Sequence, residues 1–159
     1  MDALFRVHQA SVRGLCSAAY SARHIDTWFE GRTPEIYLPL LERGQILVAL
    51  LEGRIQGFVG ALPGEVTSLF VLPEAAGHGL GSKLFMRGLA RAEAAFDGPI
   101  TVISTRNAVD FYARFGFEPV EEGTFVRGQG QLEYPVVKMV RSATRRDNAV
   151  PALGDPPCV

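Results

Sequence analysis

The chain has 159 residues and a formal net charge of −1, with 47% apolar and 21% charged residues. This length fits one domain with a buried core, and the composition is that of a folded protein rather than a disordered one. The balanced charge disfavours nucleic acid as a partner, because there is no excess of positive charge to bind phosphates.

The first quarter of the chain is predicted to contain a strand followed by helices. Residues 4–8 alternate apolar and polar side chains, which is typical of a strand. Over residues 11–31 the apolar residues recur at helical spacing, and Ser11 is the expected N-cap. Thr33-Pro34-Glu35 predicts a further helix start, since proline is favoured at the first helical position, and that helix ends near Arg43-Gly44.

The middle of the chain predicts a three-stranded antiparallel meander. Residues 45–51 form a continuous apolar run, which indicates a strand buried on both faces. Glu52-Gly53 and Pro63-Gly64 are turn sequences, so residues 54–62 and 65–72 are predicted to return as the second and third strands.

The remaining half alternates helices and strands. Apolar spacing predicts a helix over residues 79–96, and the Asp97-Gly98-Pro99 sequence ends it. The elements predicted after it are a strand over 100–103, a short helix over 106–115 closed by Gly116, and strands over 117–126 and 132–141. The order is therefore β-α-α-β-β-β-α-β-α-β-β. Residues 142–159 are predicted to form a C-terminal tail, because they are proline-rich and aperiodic.

A glycine-rich segment joins the third meander strand to the helix after it. Gly77, Gly79 and Gly81 alternate directly before the amphipathic pattern, and glycine allows the backbone to approach a ligand closely. The free N–H groups of a helix N-terminus add a site for phosphate oxygens. The Walker A and dinucleotide spacings both fail, because Ser82 or Leu84 stands where they require glycine. A glycine-rich turn that binds nothing is the alternative interpretation.

Two motifs resemble those of the GNAT superfamily of N-acetyltransferases. Residues 69–74 and 77–84 resemble its acetyl-CoA-binding motif, [QR]-x-x-G-x-[GA], although Ala76 occupies the first position. Residues 107–119 resemble a second segment, in which an asparagine precedes Phe-Tyr and Gly-Phe pairs. The resemblance implies a single-domain α+β GNAT-like fold over residues 1–141. It further implies a mixed central sheet of about seven strands, in which the strand ending at Leu72 separates from its parallel neighbour.

The resemblance also implies which residues act. The residues expected to bind acetyl-CoA are Phe70, Val71, Leu72, Gly77, His78, Gly79, Leu80, Gly81, Ser82 and Asn107. The backbone N–H of Val71 or Leu72 is expected to stabilise the oxyanion. Tyr112 is expected to be the general acid, because a phenol is protonated at pH 7. Glu65 stands at the position of the base in histone-type members, with water as the alternative base.

Each of these assignments has a purely structural alternative. Tyr112 is otherwise a packed aromatic, Asn107 a helix N-cap and Glu65 an exposed turn carboxylate. Cys16 is expected in the core. The aromatic residues Trp28, Phe29 and Tyr37 either line a small-molecule pocket or belong to the core.

The predicted function is transfer of the acetyl group of acetyl-CoA to a primary amine of a small-molecule acceptor, by direct attack in a ternary complex. The alternatives are a non-catalytic acyl-CoA-binding or sensor domain and a structural interaction domain, and a homodimer is left open. No metal is expected, since the three histidines and two cysteines have no ligand spacing.

The sequence also carries expectations about location. The longest apolar run is far shorter than the ~20 residues of a membrane helix. The first ten residues lack the basic start and apolar stretch of a secretory signal. Only Cys16 and Cys158 are available for disulfides. We therefore expect a cytoplasmic protein that does not act at a membrane.

Overall fold

The structure, a computed structural model, describes residues 1–127 and 131–143, and Arg127 by its backbone only. The helices are α1 (Asp2–Leu15), α2 (Ala22–Thr27), α3 (Leu38–Glu42), α4 (Leu80–Ala94) and α5 (Val109–Ala113), with 3₁₀ turns at Pro34–Tyr37, Pro73–Ala75 and Arg106–Ala108. The strands are β1 (Ile46–Leu51), β2 (Arg54–Leu62), β3 (Glu65–Val71), β4 (Ile100–Thr105), β5 (Glu118–Arg127) and β6 (Leu132–Arg141). Most of the predicted tail, residues 144–159 with Cys158, lies outside the described residues.

The six strands form one mixed sheet in the order β1-β2-β3-β4-β6-β5. Only β3 and β4 are parallel, and they pair at just two positions, Glu65 with Thr101 and Val66 with Val102. The register of β3 against β2 shifts directly afterwards, so that Thr67 is the extra residue of a β-bulge. A bulge bends and twists its strand. The two parallel strands therefore separate beyond Val66, and a gap opens in the middle of the sheet.

Helices cover both faces of the sheet, and the alternation of β2 shows how the core is divided. Phe58 packs on one face with Leu4 of α1 and Tyr37. Its neighbour Val59 packs on the other face with Phe85 of α4. Successive strand residues point to opposite faces, so the same strand supplies both layers. The gap between β3 and β4 consequently connects the α1 side of the sheet with the α4 side.

The predicted strand over residues 4–8 is wrong, because these residues lie inside α1. The buried residues of α1 include Leu4, Val7, His8 and Ser11, which follow the helical spacing of i, i+3, i+4 and i+7. Five alternating residues were too short a pattern to outweigh this longer stripe. Ser11 is consequently a buried mid-helix residue rather than an N-cap, and the second helix begins instead at Ser21, whose hydroxyl accepts from the His24 N–H.

The predicted burial of β1 on both faces is also wrong. This strand lies at the edge of the sheet, and Val48, Leu50 and Leu51 are exposed. One of its faces packs on the α4 side of the core through Leu47 and Ala49, and on the other face Ile46 packs against the α1 side. A continuous apolar run records side-chain type alone, whereas burial depends on whether a further layer covers the strand.

The other predicted strands, the long helix after the glycine segment and the fold class are confirmed, whereas the predicted helical stretch over residues 11–31 is divided between α1 and α2. The hairpin turn has positive φ at Glu52 and Gly53, and α4 follows the glycine segment as expected. The fold is an α+β domain with a mixed sheet of six strands rather than about seven. The difference is the N-terminal segment, which adds a helix to one face instead of a strand to one edge.

Candidate functional site

A cavity of about 530 Å³ occupies the gap between β3 and β4. Gly81 and Phe111 line it on the side of α4 and α5, and Trp28 and Tyr37 line it on the side of α1. The cavity therefore passes through the sheet, because these two pairs belong to opposite faces. Two molecules that enter from opposite sides can meet inside it.

The glycine segment leads into the first turn of α4, which borders this cavity through Gly81. The first backbone bond of the helix runs from the Lys83 N–H to the Gly79 oxygen, so the N–H groups of Leu80, Gly81 and Ser82 have no partner within the helix. Gly77 and Gly79 have φ of +77° and +80°, and a Cβ at either would meet open space. The segment thus presents unused donors at the positive end of a helix dipole.

The end of β3 offers one further donor to the gap. The Leu72 N–H donates to the Gln56 oxygen at 2.8 Å, so it is used by β2. Backbone N–H groups of successive strand residues point to opposite sides, which turns the Val71 N–H away from β2 and toward the separated β4. Of the two N–H groups expected from the sequence, only that of Val71 faces the cavity, which Val71 also lines.

Tyr112 lies on α5, is buried and lines the cavity. Its ring makes edge contacts with Phe85, Phe111 and Phe117, which fix its position. Burial raises the pKa of Tyr112 to about 12. The phenol is therefore both a packed aromatic and a protonated donor at the cavity, so the two interpretations of this residue do not exclude each other.

Asn107 connects the turn before α5 to the end of α1. Its amide nitrogen donates to the Leu15 oxygen at 3.1 Å. It also lines the cavity beside Cys16. Burial raises the pKa of the Cys16 thiol, and a hydrogen bond with Asn107 opposes this only in part. Cys16 packs in the core as expected and additionally reaches the cavity, where it remains a protonated thiol at neutral pH.

His8 forms the centre of a buried polar group on the α1 side of the cavity. The Trp28 indole N–H donates to His8 Nε2 at 3.2 Å, and His8 Nδ1 lies 2.6 Å from the Tyr37 hydroxyl. An indole nitrogen only donates, so Nε2 carries the lone pair and the proton of the neutral ring is on Nδ1. The ring also stacks on Phe70 at 3.8 Å between centroids. Both nitrogens are engaged, and His8 has no free lone pair for an incoming proton.

The structure brings together Phe70, Val71, Gly81, Asn107 and Tyr112 around one cavity. Gly77, His78, Gly79, Leu80 and Ser82 form the adjoining loop and the first turn of α4. Glu65 is not brought to this site, because it lies where β3 and β4 are still paired. Its use as a base stays a prediction that this position does not favour.

The lining residues that sequence reasoning missed include His8, Arg32 and Ser68. A helical interpretation of the N-terminus would have found His8, because it shares a stripe with Val7 and Ser11. Ser68 follows the bulge, and its hydroxyl oxygen is buried with no hydrogen-bond partner among the described residues. Arg32 lies in the loop after α2, where no local pattern marks it.

The described residues contain neither a candidate metal site nor a candidate membrane span. Over residues 1–127 and 131–143, no group of three or more histidine, cysteine, aspartate or glutamate side chains is placed to bind a metal ion. No helix in that same portion is both long and apolar enough to span a membrane.

Comparison with known proteins identifies the class. Residues 16–134 match the family described as Acetyltransferase (GNAT) domain. A curated relative, an uncharacterized N-acetyltransferase from Archaeoglobus fulgidus, is 32% identical over 104 residues, which cover 58% of this chain and 67% of the relative. The chain therefore belongs to the GNAT family of acetyltransferases, as the two sequence motifs indicated.

Solved structures agree with this class. A GCN5-related N-acetyltransferase from Rhodopseudomonas palustris, also named as an aminotransferase of class II, is 26% identical with a TM-score of 0.75, over 89% of each chain. The PaiA N-acetyltransferase from Thermoplasma acidophilum, solved in complex with coenzyme A, is 20% identical with a TM-score of 0.65, over 89% of this chain and 91% of that one. Because the identity to this second structure is only 20%, its similarity to the chain shows a shared fold and nothing further.

Proposed function

We propose that the protein is an N-acetyltransferase that passes the acetyl group of acetyl-CoA directly to a primary amine of a small-molecule acceptor. Its family supports acetyl transfer. The observation that carries the proposal is the cavity through the sheet, bordered by the N-terminus of α4 on one side and open to the α1 side on the other. Residues 1–141 would constitute the catalytic domain.

The residues present fit acetyl-CoA. The unused N–H groups of Leu80, Gly81 and Ser82 are suited to pyrophosphate oxygens, and the open space at Gly79 leaves room for them. The unpartnered Ser68 hydroxyl is a further polar atom that a ligand in the cavity would satisfy. A coenzyme A complex is known for the Thermoplasma acidophilum neighbour. When bound, acetyl-CoA supplies an acetyl group activated as a thioester.

Three groups of the chain would then assist the transfer. The Val71 N–H would donate to the carbonyl oxygen as negative charge develops on it, a contribution of a few kcal/mol at such sites. Tyr112 would donate its proton to the departing sulfur. Asn107 would position the cavity wall that carries Tyr112, because its amide links the turn before α5 to the end of α1.

The proton of the attacking amine requires a separate acceptor. An alkylamine with a pKa of about 10.4 loses a proton at pH 7 at a cost of roughly 4–5 kcal/mol. Among the described residues no carboxylate lines the cavity, and both His8 nitrogens are engaged. We therefore assign this proton to water in the cavity rather than to Glu65.

A sensor domain without catalysis is the second candidate function. Ala76 favours it, because the family motif has a glutamine or arginine donor at this position and alanine has none. His78 is the nearest imidazole in the loop, and it is exposed. A sensor would bind acetyl-CoA and release no thiol.

Titration calorimetry with acetyl-CoA, followed by thiol-release assays over a panel of primary amines, tests the proposal. We expect stoichiometric binding and amine-dependent release of coenzyme A. Coenzyme A without its acetyl group serves as the binding control, because it carries the same pyrophosphate. Binding without release on any amine would favour the sensor, and no binding would overturn both.

Direct transfer predicts that no acetyl-enzyme forms. Cys16 is the one thiol of the described residues that reaches the cavity, and burial raises its pKa, which disfavours the reactive thiolate. We expect the intact mass of the protein to be unchanged after incubation with acetyl-CoA alone, for wild type and for Cys16→Ala alike. A stoichiometric adduct of one acetyl group that a later amine removes would contradict direct transfer.

A further inference from the structure

The α1 side of the cavity has an unusual charge composition. Aromatic and aliphatic side chains make up most of its wall, among them Trp28, Ile36, Tyr37 and Leu40. No aspartate or glutamate of the described chain contributes to this wall, and Arg32 is its single cation there. An acceptor in this cavity would therefore meet apolar surface and one positive charge.

Arg32 has no carboxylate partner among the side chains that the structure describes. Its backbone N–H donates to the Phe29 oxygen at 2.9 Å, which fixes the loop after α2. The ion pairs seen between described side chains join Arg106 to Glu122 and Arg141 to Glu93, and neither includes Arg32.

Burial, rather than a charged partner, is the largest influence on the pKa of Arg32. The side chain is half-buried, and burial lowers the pKa of Arg32. The groups that oppose this shift are the hydroxyls of Tyr37 and Tyr134, and no carboxylate is among them. A guanidinium nevertheless keeps its charge in proteins. A partly desolvated cation thus lies at the cavity, and no described side chain compensates its charge.

A half-buried cation without a partner is costly, and a bound anion removes that cost. The planar fork of arginine matches the two oxygens of a carboxylate. A polycation would instead bring a further ammonium group into an apolar cavity beside a like charge, which is unfavourable. The positive charge of Arg32 in an apolar cavity therefore excludes polyamines and aminoglycosides as the preferred acceptors.

We infer that the acceptor is an apolar amine that carries a carboxylate, and that Arg32 binds this carboxylate while the aromatic wall holds the apolar body. The inference rests on the proposed acetyl transfer and adds the class of acceptor. Arg32 is accordingly a specificity residue on the α1 side of the cavity, whereas the N–H groups that are expected to bind the pyrophosphate belong to α4.

Matched probes with and without the carboxylate test this inference. Calorimetry would measure the affinities of two matched pairs of compounds for protein saturated with coenzyme A. The pairs are phenylalanine with 2-phenylethylamine, and leucine with 3-methylbutylamine. We expect the two amino acids to bind at least about tenfold more tightly than their decarboxylated analogues. Arg32→Gln is expected to weaken amino-acid binding by about 10- to 100-fold and not to weaken binding of the plain amines.

Two further variants separate specific binding from general charge. Arg32→Lys keeps the charge but loses the fork, and we expect it to restore only part of the affinity. Arg43→Gln removes the same charge from an exposed position after α3, and its binding should equal that of wild type. Thermal unfolding and affinity for coenzyme A would show that each variant folds.

The outcomes distinguish this inference from the proposed function. Equal binding of acid and plain amine, an equal loss of both in Arg32→Gln, or no binding of either amino acid to the complex with coenzyme A would overturn the inference. Acetyl transfer to amines without a carboxylate would in those cases leave the proposed function intact. If the wild-type protein does not bind acetyl-CoA, the proposed function itself is overturned.

Discussion

Replacement of Tyr112 by phenylalanine is expected to lower kcat by about 100- to 10,000-fold, the usual contribution of a general acid. The substitution removes only the hydroxyl, because the ring still packs against Phe85 and Phe117. Acetyl-CoA affinity should therefore change by less than about twofold, since the ring surface is retained. Steady-state thiol release and calorimetry measure the two quantities separately.

The pH dependence provides a second readout for Tyr112. Burial raises the pKa of Tyr112 to about 12. A phenol can donate its proton only below its pKa. Tyr112 therefore keeps its proton under mildly alkaline conditions, in which an ordinary tyrosine begins to lose it. We expect no fall in kcat from this group between pH 7 and pH 10, and a constant ratio of wild type to Tyr112→Phe over that interval.

Tyr20→Phe is the matched control for Tyr112→Phe. It also removes a phenol hydroxyl, but this hydroxyl lies in a different core cluster and donates to the Pro135 oxygen at 2.6 Å. Tyr20→Phe should therefore lower the stability of the fold and leave kcat unchanged. Equal turnover of wild type and Tyr112→Phe would make Tyr112 a packing residue.

Replacement of Gly79 by valine is expected to raise the dissociation constant of acetyl-CoA by about 10- to 100-fold, equivalent to the loss of one hydrogen bond to a charged group. Gly79 has a φ of +80° at the N-cap of α4, a conformation that a β-branched residue rarely adopts. Valine would turn the backbone away from this conformation, and the N–H groups of Leu80, Gly81 and Ser82 would no longer point to one site.

Gly44→Val provides the control for backbone strain. Gly44 lies between α3 and β1 with a φ of +60°, and a Cβ there also meets nothing within 4 Å. Both variants should lose similar stability in thermal unfolding, and only Gly79→Val should lose acetyl-CoA affinity. Retained affinity in a folded Gly79→Val would argue against pyrophosphate binding at this loop.

Much of the candidate site was predictable because it depends on local motifs. The glycines before α4 and the Asn107 to Tyr112 spacing each lie within a few residues, so the sequence displays them directly. Glu65 shows the limit of this reasoning, since the spacing along β3 does not tell which part of the strand borders a gap. The gap begins at the bulge of Thr67, a feature of strand pairing that no single segment encodes.

The sequence by itself determined the family, the meander and the helix that starts at the glycine loop, and it predicted the residues around the expected thioester. These features follow from local periodicity, turn chemistry and short motifs. Only the tertiary structure decided that residues 4–8 are helical, that β1 is an exposed edge and that the Val71 N–H faces the gap. It also decided that His8, Arg32 and Ser68 meet in one cavity. The physical reason is that burial, strand separation and an uncompensated charge arise between segments distant in the chain, where packing rather than local preference selects the arrangement.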